Sequence, residues 1–235
     1  MKEKFVTARN IELWEKLSEK FTIEIKPNTE EGYMIDVRNN HAVIYYDPIN
    51  ICEASFTHEL LHLNLDYHEF YLSAAIKRKM ASDSLFVIMF NACVTDSLCN
   101  FIEHKMMFKD YKKLGLKEDL FLLDYFEKKI IQRDIDWLTK HYKIGSKIYI
   151  LAAQFFVGKL ASLFGDVNME FDYNEFFVMF KSIDSDLYDA VANLFVESIN
   201  HDYEKADYIY NYRDIADNFH KRLLNWKDDN QFTYG

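Results

Sequence analysis

The chain has 235 residues, 49% of them hydrophobic and 17% aromatic, which is enough apolar material for a sizeable core and excludes general disorder. Its net charge of -10 argues against a nucleic-acid backbone as the main partner, because such a partner needs a basic face. Six glycines and two prolines leave few sharp turns, as suits a mainly helical chain.

The opening stretch MKEKFVTARNIELWEKLSEKF has no apolar h-region and no small-residue cleavage site, so it does not read as a signal peptide. Within it, Ile11, Leu13, Trp14, Leu17 and Phe21 recur at helical spacing and predict a first amphipathic helix. The alternating runs FTIEIK, YMIDV and HAVIYY come next, separated by the turn-rich PNTEEG and RNN; they predict a small, mostly antiparallel sheet. DPIN then offers a helix start, with Asp47 as cap and Pro48 in the first turn. From Ser82 onward the pattern is helical, with helices expected over roughly 83–108, 117–141, 145–164, 172–181, 185–200 and 205–226. No linker interrupts it. The expectation is therefore one α+β domain over 1–235, with a metal-binding half to about 110 and a helical half after it.

The most apolar run, LFVIMFNACVTDSLCNFIEH, carries Asn91, Thr95, Asp96, Ser97 and Asn100, which is wrong for a membrane span. Cys52, Cys93 and Cys99 are odd in number and lack a C-x-x-C spacing, so they read as free thiols of a cytoplasmic protein.

The chemistry concentrates in FTHELLHLNLDYHEF, residues 56–70. His58 and His62 are four apart and project from one helix face, as two ligands of a single Zn²⁺ would. Glu59, beside the first histidine, can take a proton from water without binding the metal. HELLHL after HAVIYYDP resembles the zincin metallopeptidases over roughly residues 20–105. That resemblance implies a sheet packed on the H-E-x-x-H helix, one zinc ion, a peptide or protein substrate, and HAVIYY as the strand that aligns it by main-chain pairing.

Three residues compete for the third ligand. His68 stands where metzincins carry their last histidine, but Leu65 replaces the glycine of their turn. Asp96, Asn100 and Glu103 form one helical stripe, spaced four and three apart. D96-x-x-x-N100 resembles the glutamate-zincin E-x-x-x-D pattern. The surrounding segment is similar to a helix of metallopeptidase domains found beside von Willebrand A-type domains, and to the E-x-x-A-N segment of ImmA/IrrE-type peptidases. Here aspartate replaces glutamate, and Asn91 to Asp96 is one residue longer. The resemblance implies Asp96 as ligand and Asn100 as the group that orients a ligand histidine, with Glu103 as the substitute ligand. His141, Tyr142, Tyr188, His201, Tyr203 and Tyr208 are all candidates to stabilise an oxyanion, and spacing does not choose among them. The expected function is a zinc peptidase; the alternative is a metal-stabilised binding or regulatory module of the same fold with little turnover.

Overall fold

The computed structural model describes residues 2–30, 32–205 and 212–235. The fold is α+β, and the chain divides into two compact units: residues 1–70 with 107–126, and residues 71–106 with 127–235.

The first unit begins with α1 (Ile11–Lys20), followed by β1 (Thr22–Pro27), β2 (Met34–Arg38) and β3 (His41–Tyr46). The sheet is mixed: its order is β1-β3-β2, with β1 parallel and β2 antiparallel to the central β3. Register obeys the period-2 pattern: Ile25 and Ile35 flank Ile44, and Ile23 and Val37 flank Ala42. This face packs into a core with Phe5, Trp14, Leu17, Phe56, Leu60 and Leu63. The β2–β3 hairpin turns through Asn39 at φ 55, a left-handed conformation that asparagine tolerates.

Helix α2 (Glu53–Tyr67) carries the H-E-x-x-H residues. It starts six residues after the expected cap at Asp47. Asp47 instead accepts from the Ile49 amide at 2.9 Å, closing a local turn. The Tyr33 hydroxyl accepts from the Cys52 amide at 2.8 Å and donates to the Asn50 carbonyl at 3.1 Å, which fixes residues 50–52 outside the helix. At the far end, Lys20 of α1 donates to the Tyr67 carbonyl at 2.8 Å, a cation on the negative end of the α2 dipole.

The second unit is mostly helical: α3 (Leu72–Met80), α4 (Ser84–Met89), α5 (Ala92–Lys113), α6 (Gln132–His141), α7 (Ile150–Gly165), α8 (Asn174–Ile183), α9 (Ser185–Ile199) and α10 (Tyr212–Asp228). Helix α5 is shared, because its residues from Met107 onward belong to the first unit. Three short strands, β4 (Lys143–Ile144), β5 (Lys147–Tyr149) and β6 (Phe232–Thr233), form a second sheet in that order. The sequence expectation of one helix over 83–108 fails at Asn91, whose side chain accepts from the Val94 amide at 3.1 Å and starts α5 afresh. Of the expected 117–141 helix, α-helix forms over Gln132–His141 and a single 3-10 turn over Glu118–Leu120. The Lys129 amide is taken by the Tyr173 hydroxyl at 3.2 Å and the Lys117 carbonyl by the Tyr111 hydroxyl at 3.1 Å, so side-chain bonds replace helical ones there. The expected helix over 205–226 begins partly in 206–211, outside the described residues. Among the described residues no helix is long and apolar enough to cross a membrane.

At Gly165, helix α7 lies close against α5. A Cβ there would stand 2.6 Å from Phe101 Cβ and 3.0 Å from the Phe101 carbonyl oxygen. Gly165→Ala is therefore expected to lower unfolding free energy by about 1–3 kcal/mol, as overpacking does. Urea denaturation checks it; an unchanged midpoint would show that α5 and α7 separate at no cost.

Candidate metal centre

His58 and His62 sit one turn apart on α2, and their rings meet edge to face with centroids 4.9 Å apart. Their Nε2 atoms face each other at 3.1 Å. The third side chain brought to them is His104 of α5. One nitrogen of each histidine lies within 4.8 Å of the others, and this is the one such group of three or more His, Cys, Asp or Glu among the described residues. His58 and His104 are each 8% exposed and His62 is half-buried.

The donor set fits a metal ion. Two nitrogens that share a tetrahedral zinc at about 2.0–2.1 Å stand roughly 3.3 Å apart, close to the observed pair. The group is three imidazoles, with no Asp, Glu or Cys in it among the described residues. The group could thus hold a metal ion.

Packing holds the ligands in place. Phe121 lies with its ring centroid 4.7 Å from that of His58, and is itself held by Phe108 at 5.1 Å and Tyr111 at 4.8 Å. On the α2 side, the Asn10 side chain donates to Thr57 Oγ1 at 2.8 Å, and Thr57 donates to the Glu53 carbonyl at 2.8 Å. Glu53 in turn pairs with Arg9 at 2.8 Å. Glu59, next to His58, is 8% exposed. Burial holds its carboxyl above the usual carboxylate range, and the charge of His62 opposes that rise.

The expected carboxylate ligand is not among the clustered side chains. Asp96 is not brought to the histidine pair: its side chain is 56% exposed, pairs with Lys77 at 2.5 Å and accepts from Ser73 at 3.2 Å. Asn100 is exposed, and with Asp96, Glu103, Ser73, Ser97 and Cys99 it lines an open cleft of the second unit. Neither Asn100 nor the substitute ligand Glu103 belongs to the histidine group. What differs is position along α5: Asp96 and Asn100 lie in its exposed N-terminal half, whereas His104 lies further on, where Met107, Phe108 and Tyr111 are buried. Cys99 in the same cleft is buried, and burial with Glu103 nearby pushes its thiol up, away from nucleophilic use.

His68 also stands outside the group. Helix α2 continues through Leu65 to Tyr67, and the chain reverses at Glu69 with φ 59. His68 Nε2 instead lies 2.9 Å from Lys16 Nζ, which also donates to Asn64 at 3.0 Å. Strand HAVIYY is the central strand of its sheet, with a neighbour on each side, so it has no free edge for an extended peptide. Of the oxyanion candidates, Tyr142 donates its hydroxyl to Asp184 at 2.7 Å and His141 packs on Trp137 at 5.1 Å. Tyr208 lies outside the described residues. The chain matches no protein-family model, no curated protein and no solved structure in the comparisons made.

Proposed function

We propose that the protein is a zinc-dependent hydrolase that cleaves peptide bonds. The observation that carries this reading is the convergence of His58, His62 and His104, with Glu59 buried at the next position of the same helix. When bound there, the metal supplies Lewis-acid polarisation of a carbonyl and acidification of a water molecule. His58, His62 and His104 would hold the ion through their imidazole nitrogens. Glu59 accepts the proton from the attacking water and passes it to the leaving amine. Among the described strands β2 pairs only with β3, and its side chains Ile35 and Val37 pack in the core with α2, so its outer edge is the one that would align an extended substrate in place of β3. The compartment we propose is the cytoplasm, where the free thiols of Cys52, Cys93 and Cys99 persist.

A second reading, a metal-stabilised binding module with little turnover, draws on the packing of Phe121 against a ligand ring. One experiment separates the two. Protein purified without chelator is expected to carry about one Zn²⁺ per chain. Incubated with a peptide library and monitored by mass spectrometry, it should release fragments in a chelator-sensitive manner. Metal without fragments favours the module; no metal, and none taken up after dialysis against zinc, overturns both.

A further inference from the structure

Met34, Ile49, Ile51 and Leu123, all of the first unit, expose apolar side chains at 47%, 94%, 46% and 94%. Isolated exposed leucines and isoleucines are ordinary, but these four are tied to one place. The Tyr33 hydroxyl bonds both Asn50 and Cys52, so the segment carrying Ile49 and Ile51 is anchored to the residue that precedes β2. The Cδ1 atom of Leu123 lies 3.9 Å from where a Cβ would stand at Gly32. Two residues before Leu123, the ring of Phe121 packs on His58. One short segment therefore runs from a metal ligand to the start of an edge strand, and the apolar side chains stand where it ends.

We propose that this face binds the bulky apolar side chains of an extended polypeptide, and so selects which peptides reach the histidine centre. The proposal rests on the hydrolase reading for the step after binding. A polypeptide is the occupant the chemistry favours. β2 pairs only with β3 among the described strands, so it offers main-chain donors and acceptors along its outer edge. An edge strand beside apolar contacts recognises backbone and alternate side chains together. A lipid chain would use the apolar contacts and leave the edge unused.

The test measures binding apart from cleavage, on full-length Glu59→Gln protein loaded with zinc. The probes are a fluorescein-labelled ten-residue Ser/Thr/Gly peptide with leucine at every second position, and its twin with each leucine replaced by serine. Fluorescence anisotropy should give the leucine peptide the tighter binding, by about tenfold or more. Ile49→Asp with Leu123→Asp, both at exposed positions, should abolish that preference and leave the zinc content unchanged. Equal binding of the two peptides would overturn the proposal, as would a preference that survives the double substitution. So would a dimer in sedimentation that the double substitution dissociates, because the face would then belong to a second copy. If the preference appears but wild-type protein never cuts the leucine peptide, the hydrolase reading fails and this one stands. If wild type cuts both peptides equally well, the reverse holds.

Discussion

His104→Ala is expected to strip the protein of tightly held metal, while Asp96→Ala leaves metal content at the wild-type level. His104 supplies one of three imidazole nitrogens within 4.8 Å of one another, and the described group contains no fourth protein ligand that could replace it. Loss of an outer hydrogen-bonding partner typically weakens a metal site 10–100-fold, and loss of a ligand from a three-ligand set should exceed that, by about 10²-fold or more. Asp96 is more than half exposed, and its partners are Lys77 and Ser73. Removing it forfeits a surface ion pair, a change of about 1 kcal/mol or less in stability. Titration with a zinc indicator gives the affinities, and circular dichroism establishes that each variant is folded. Because His104 is buried, His104→Gln serves as a second variant that keeps most of the volume. Retention of wild-type affinity in both His104 variants would remove the third histidine from the site. Loss of zinc in Asp96→Ala would restore the carboxylate ligand that the sequence pattern suggested.

The opposed behaviour expected of these two residues shows where sequence reading was sufficient. The H-E-x-x-H pair is a local feature: two side chains four residues apart on any helix must share a face, whatever the rest of the chain does. The three strands were equally legible, since Ile23, Ile25, Ile35, Val37, Ala42 and Ile44 alternate toward one core. Parallel pairing of β1 with β3 was not, because strand order depends on which edges meet, and neither hydrophobic alternation nor turn residues encode it. That order moved the available edge from HAVIYY to β2.

The third candidate ligand turned on position along α5. Polar residues at 96, 100 and 103 suggested a buried functional stripe, but Asp96 and Asn100 are exposed and Glu103 is half-buried. The usable signal was one position further on. His104 stands on the stripe that continues through Met107, Phe108 and Tyr111, so it is a histidine on an otherwise apolar buried face. Asn91 carried a second signal, since an asparagine three residues before an amide it can cap marks a helix start and resets the expected burial of the residues beyond it. The irregular 117–131 segment was the least legible. Its apolar run LFLLDYF fits a helix, and side-chain partners, the distant Tyr173 for the Lys129 amide and the nearby Tyr111 for the Lys117 carbonyl, draw the backbone elsewhere. That departure places Phe121 on His58.

Glu59→Gln is expected to separate metal binding from catalysis. Glu59 is outside the ligand group, so the amide variant should retain about one zinc per chain with affinity near wild type. Glutamine keeps the shape of the buried side chain, so the α2 packing around His58 should survive. What it removes is the proton acceptor next to the metal position. Loss of a general base costs about 10²–10⁴-fold in rate, and the fall should appear in kcat more than in KM, because Glu59 has no assigned role in gripping substrate. The comparison uses whichever library peptide wild type cuts fastest, with fragments quantified over time and metal measured in the same samples. Wild-type turnover in Glu59→Gln would mean that water is activated without this carboxylate and would end the proposed mechanism. Loss of zinc together with activity would instead make Glu59 a metal ligand or a support for one. An inactive, zinc-replete protein is the outcome that assigns Glu59 to the proton.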